Sequence, residues 1–191
     1  MKPQKLFFLT FLIFSLSAYS QNAAPKGYRK GNIVLQNGTI LSGYVKDNAA
    51  NDASFTFIAD STTKKIKYSS SEITSVDIEG TKFICFKHDF FKVLSSGELS
   101  VLQKASNISS KPQYNGTQVF FLSGTEGRLG DYFVCNTSKD QLLLINKKNK
   151  DAILSLFTTD AASLEIAKQN AADSEVIKNA VALYNSHLAA K

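Results

Sequence analysis

Between residues 32 and 145, short β-favouring runs are broken roughly every 8–12 residues by Gly, Ser or Asn-Gly punctuation. No other property of the chain constrains its fold as tightly. Runs such as Ser54 to Ala59, Ile73 to Ile78 and Phe90 to Leu94 are too short for helices of ordinary length. Asn37-Gly38 lies between Asn32-Ile33-Val34-Leu35-Gln36 and Thr39-Ile40-Leu41-Ser42-Gly43-Tyr44-Val45, which predicts a hairpin with a type I′ turn, because both turn residues tolerate a positive φ. Further strands are expected at Lys64 to Tyr68, Lys82 to Lys87, Glu98 to Gln103, Gln118 to Leu122, Leu129 to Cys135 and Gln141 to Ile145, the last of which can also open a helix. Glu79-Gly80 and Ser95-Ser96-Gly97 read as hairpin turns. In Lys64 to Tyr68, Ile66 and Tyr68 alternate with Lys65 and Lys67, the pattern of a sheet with one face buried and one wet.

The period changes after residue 150. Ala152, Ile153, Leu156 and Phe157 keep helical spacing, and Thr159 or Asp160 can cap a second helix. Asp173 or Ser174 can cap a third, whose stripe of Val176, Ile177, Ala180, Val181, Leu183, Tyr184 and Leu188 predicts a core-facing surface. The expected architecture is therefore α+β: an antiparallel, barrel-like or strongly twisted sheet followed by a C-terminal α-helical segment. The chain divides into a signal peptide at 1–20, a flexible lead at 21–31, a β-rich unit at 32–145 and a helical segment at 146–191.

The N-terminus carries an address. Lys2 and Lys5 precede an apolar run from Leu6 to Leu16, and Ala18 and Ser20 form a small-x-small site, so cleavage is expected between Ser20 and Gln21. That run is shorter than the roughly 20 residues needed to span a bilayer. No cysteine stands at the cut to accept a lipid, and no second long apolar stretch follows, so no transmembrane anchor is expected in the mature chain. Removing Lys2 and Lys5 lowers the net charge from +6 to about +4, without the basic face of a nucleic-acid binder.

Cys85 and Cys135 are the only cysteines. In an oxidising compartment a pair can form a disulfide, here worth about 4 kcal/mol on a loop-entropy estimate; two buried free thiols are the alternative reading. Asp77 and Glu79 share a strand face and resemble an acid pair, although acidic residues are ordinary beside turns. His88-Asp89 is expected as a solvent-facing pair at a strand end, and His187 as a complement to the dipole of the last helix. Two histidines about a hundred residues apart, without Cys/His spacing, indicate no metal site, and no cofactor motif is present. Tyr28, Tyr44 and Tyr114 are candidate stacking aromatics, read first as sheet packing residues. Asn37, Asn107, Asn115 and Asn136 head N-glycosylation triplets, and Asp60-Ser61-Thr62 resembles an O-glycosylation sequence. Residues 104–117 form a long polar loop, and loops of that length are uncommon unless used.

The signal ending Ser20-Gln21, the opening Gly31 to Ile40, Ile66-Lys67-Tyr68 with Glu72-Ile73, Phe91 to Leu94 with Gly97 to Leu102, and the closing Tyr184-Asn185 stand out together. In these segments the chain resembles a group of uncharacterised exported proteins of Bacteroidota. The resemblance implies export and this fold, and implies no activity. The expectation is an exported, non-enzymatic envelope or secreted protein, periplasmic or released, that binds a protein or glycan partner through sheet edges and loops. The alternative is an envelope hydrolase acting on glycan or peptide through Asp77, Glu79 or Asp89; a structural or stress-related envelope component is a third possibility.

Overall fold

A computed structural model describes residues 24–60, 64–114 and 116–190. The signal segment with its Ser20–Gln21 cut, Asn115, and Ser61 and Thr62 of the O-glycosylation sequence lie outside the described residues. The chain is α+β. Ten strands form one antiparallel sheet that does not close on itself: β1 (Arg29–Leu35), β2 (Ile40–Asn48), β3 (Ser54–Ala59), β4 (Ile66–Ser69), β5 (Ile73–Ile78), β6 (Thr81–Phe86), β7 (Asp89–Ser95), β8 (Leu99–Lys104), β11 (Tyr132–Asn136) and β12 (Gln141–Leu144). Their order is β12-β11-β8-β7-β6-β5-β1-β2-β3-β4. β9 (Pro112–Tyr114) and β10 (Val119–Phe121) form a separate hairpin inside the long connection from β8 to β11. A short helix α1 (Ala49–Asp52) follows β2, and α2 (Lys150–Ser155), α3 (Ala161–Gln169) and α4 (Ser174–Ala189) close the chain.

The sheet curls. Five interstrand steps separate β3 from β7, about 24 Å in a flat sheet. Yet the Phe55 ring meets Phe90 edge-on at 4.9 Å and Phe83 at 5.3 Å. The concave face of this half is filled by Ile33, Val45, Phe55, Phe57, Ile73, Val76, Ile78, Phe83 and Phe90. Beyond β7 the same face is covered by helices: Leu99, Val101 and Val134 pack against Ile153, Phe157, Ala167, Ile177, Ala180 and Val181. Asp160 caps α3 by accepting from the Ser163 amide, and Asp173 caps α4 by accepting from Glu175 and Val176. Asn185 on α4 accepts from the Leu99 amide at 3.2 Å and donates to its carbonyl at 2.7 Å, locking the last helix to β8. Gly97 permits this, since a Cβ there would overlap the Asn185 amide.

Several expectations are corrected. The Asn37-Gly38 hairpin forms, but only Gly38 has a positive φ (81°), so the connection is a three-residue loop rather than a type I′ pair. Leu35 and Thr39 close it, and the reason lies on the neighbouring strand: the Gln36 amide donates to Glu72 O and its side chain to Ile73 O, which holds Gln36 in the loop. The paired positive φ values fall instead at Glu79-Gly80 (51° and 80°) and at Lys87-His88 (45° and 65°). β1 begins at Arg29, inside the stretch expected as a lead, whereas residues 141–144 form the expected strand and not the alternative helix.

Cys85 and Cys135 form no disulfide. Cys85 pairs with Phe90 and faces the concave core, whereas Cys135 packs with Phe91, Leu102 and Phe133 on the convex face. Three strand steps, about 14 Å, also separate them, against the 4.4–6.8 Å between Cα atoms of a bridge. Burial raises both thiols, Cys85 to about 11.

Candidate functional site

The convex face bears the one ion pair among the described residues whose side chains are both fully buried. Asp89 opens β7, and Lys104 closes β8 directly opposite Phe91, two residues after Asp89 and so on the same face. Both side chains are fully buried, and Lys104 Nζ lies 3.1 Å from Asp89 Oδ2. A buried ion pair is tolerable only when its remaining hydrogen-bonding capacity is met, and here it is. Asp89 accepts from the Ile108 amide at 2.8 Å and the Ser106 hydroxyl at 3.3 Å through one oxygen, and from the Thr125 amide and hydroxyl, each at 2.8 Å, through the other. Lys104 donates to the carbonyls of Thr125, Glu126 and Gly127. Ser106 also receives nothing idle: its hydroxyl accepts from the Phe90 amide at 2.8 Å.

Every partner outside the pair belongs to the connection between β8 and β11. Residues 105–108 leave under Asp89 and residues 125–127 return over Lys104, so the two ions staple both roots of an arm to the sheet. Gly130 N–H to Lys104 O and Gln103 Nε2 to Gly130 O complete the return. Between the roots stands the β9–β10 hairpin, in which Val119 pairs with Tyr114 and Phe121 with Pro112. This register puts Pro112, Tyr114, Val119 and Phe121 on one face. Tyr114 is 70%, Val119 62% and Phe121 63% exposed, so that face is apolar and open to solvent. The Tyr114 hydroxyl donates to Gly116 O at 2.8 Å, which fixes its ring.

The expected site residues are therefore scattered. Asp89 is not solvent-facing with His88; it is buried in the staple while His88 sits exposed in the turn. Asp77 and Glu79 do border one groove on the outer face, of about 350 Å3 with Lys30 and Ser42. However, Asp77 accepts from the Gly80 amide and Glu79 pairs with Arg29 at 3.8 Å, while Asp89 lies elsewhere. His187 does stand in the last turn of α4, 3.0 Å from Asp160. The Ser163 hydroxyl and then His187 hold the Asp160 carboxyl below the ordinary range. Tyr28 and Tyr44 are half-buried, so only Tyr114 of the three aromatics is displayed. Asn136 is buried and accepts from Ser138 and Lys139, which leaves its triplet inaccessible. Among the described residues no cluster of three metal-ligating side chains occurs, and no helix is long and apolar enough to cross a membrane.

Lys104 was missed in the sequence; its only local signal is a lysine on the convex side of a strand whose neighbours there, Leu102 and Phe91, are core residues. Comparison of the whole chain with family models, curated proteins and solved structures returned no match.

Proposed function

We propose that this chain is an exported binding protein and that the tip of the stapled arm is its contact element for a protein partner. One observation carries the reading: three large apolar side chains share one solvent-facing side of a hairpin whose roots are anchored by a fully buried ion pair. Exposed clusters of this kind mark interaction surfaces, and an isolated two-stranded hairpin is marginal without such anchoring. Anchoring lowers the ordering entropy that binding would otherwise cost. Val119 and Phe121 beside Tyr114 suit a protein surface better than a sugar, which needs flanking polar groups as well as a ring. Export rests on residues 1–21 and on the resemblance to exported Bacteroidota proteins.

The test compares the mature protein with a Tyr114→Ser/Phe121→Ser variant as bait in native envelope extract. The proposal expects a protein captured reproducibly by the first and reduced at least about tenfold with the second, a difference of about 1.4 kcal/mol in binding, with both baits melting alike. Identical captures, or none by the unaltered bait, contradict it.

A further inference from the structure

The curled half of the sheet is open where β1, β6, β7 and β8 meet the root of the arm. A cavity of about 380 Å3 occupies this mouth, within the range of small-molecule sites (about 300–1,000 Å3). Lys92 pairs with Phe83 on β6 and Gln103 on β8, so its stem leaves the sheet on the concave face shared with the fully buried Phe90. An inward-facing lysine ordinarily meets a carboxylate or carbonyl. Among the described residues the Lys92 ammonium has no hydrogen bond or ion pair, and the Thr81 hydroxyl beside it has none either. Gln103 donates to Gly130, which leaves its side-chain oxygen without a donor.

Arg29 adds a second cation, tied only to the half-exposed Glu79 at 3.8 Å. Phe83 and Leu129 contribute apolar walls. One carboxylate, Asp47, also lines the mouth and accepts from the Ala49 amide at 2.8 Å. Lys104 lines the mouth as well, but its ammonium is taken up by Asp89 and three carbonyls. That leaves two cations, Lys92 and Arg29, against one anion, which favours a ligand of single negative charge, and the apolar walls favour one with a hydrocarbon body. Solvation of a rim lysine accounts for one free ammonium but not for its grouping with a second cation, a free hydroxyl and an apolar wall.

We propose that this mouth binds a small organic monocarboxylate, with the carboxylate between Lys92 and Arg29 and the apolar body against Phe83 and Leu129. The proposal does not rest on the arm's partner, since neither Tyr114 nor Phe121 lines the mouth.

The experiment titrates the mature protein with 4-phenylbutyrate, 4-phenylbutanol and 4-phenylbutylamine and follows binding by ligand-observed NMR. The carboxylate is expected to bind at least about tenfold more tightly than the alcohol or the amine. Lys92→Gln should abolish that preference, Lys92→Arg should keep it, and Lys67→Gln, on the far edge strand, should leave it unchanged. Arg29→Gln, at a half-exposed position, weakens it too and serves as the readout should Lys92→Gln fail to fold. Equal affinity for acid and alcohol, absence of binding at about 10 mM (an affinity weaker than about 3 kcal/mol), or a preference that survives both substitutions overturns the proposal.

Discussion

Replacing Lys104 by methionine keeps most of the stem's volume and removes the ammonium, which isolates the consequence of the charge. Asp89 would keep its four hydrogen bonds from Ser106, Ile108 and Thr125 but lose the counter-ion at 3.1 Å, in a site with no solvent exposure. The carbonyls of Thr125, Glu126 and Gly127 would lose their shared donor at the same time. Removing one partner of a buried pair costs about 3–5 kcal/mol. Domains of this size lose about 2–4 °C per kcal/mol, so the melting temperature should fall by about 10 °C. Replacing both partners does not restore stability here as it can elsewhere, because two backbone amides, Ile108 and Thr125, depend on the carboxylate. Asp89→Asn should therefore cost about 2–4 kcal/mol by itself. The double variant should be less destabilised than the sum of the singles by about 1–3 kcal/mol. Urea and thermal unfolding of the four proteins, with limited proteolysis of residues 105–130, give the cycle directly. A Lys104→Met variant within about 1 kcal/mol of the unaltered protein, or a cycle additive to within about 0.5 kcal/mol, would refute the staple.

Three further predictions follow from the same geometry. With its thiol pushed to about 11, Cys85 should carry about one thiolate in a thousand at pH 8, so a disulfide reagent should label the native protein at least about a hundredfold more slowly than the unfolded chain. Because the folded value is the higher one, the unfolded chain loses its proton first; the contribution of this thiol is complete below about pH 9 and is lost as pH rises through about 11, a slope that Cys85→Ala should flatten. Gly97→Ala should displace Asn185 from Leu99 and cost about 1–3 kcal/mol, and combining it with Asn185→Ala should add little, as urea unfolding would reveal. Lys87→Asn/His88→Gly should raise the melting temperature by a few degrees, about 0.5–1 kcal/mol, since both residues hold a positive φ that Asn-Gly adopts with less strain; a lower value would exclude the paired left-handed turn.

What was legible in the chain is what is encoded locally. Ser54–Ala59 and Ile73–Ile78 are strands at their expected bounds because turn residues delimit them on both sides. The caps of α3 and α4 were confined to two neighbours each, and geometry selects the aspartate both times, its oxygen reaching amides two or three residues on. What was hidden is non-local. Asn37-Gly38 is compatible with two loop types, and the choice is made by Glu72 and Ile73 on another strand. The sides taken by Cys85 and Cys135 depend on counting register across β7, β8 and β11, none of which the spacing of two cysteines contains. Asp89 beside His88 resembles an ordinary turn acid until the arm folds back and brings Ile108 and Thr125 to it. The curl that joins Phe55 to Phe90 is likewise a property of six strands together.

The most direct test of the arm as a contact element is site-specific photocrosslinking in the native envelope. A photoreactive residue is placed at Phe121 on the arm, or at Ile40, which is comparably exposed (66% against 63%) but lies on β2. The account predicts a discrete protein adduct from position 121 and none from position 40. Adducts of equal yield at both positions, or an adduct at 40 alone, would contradict it.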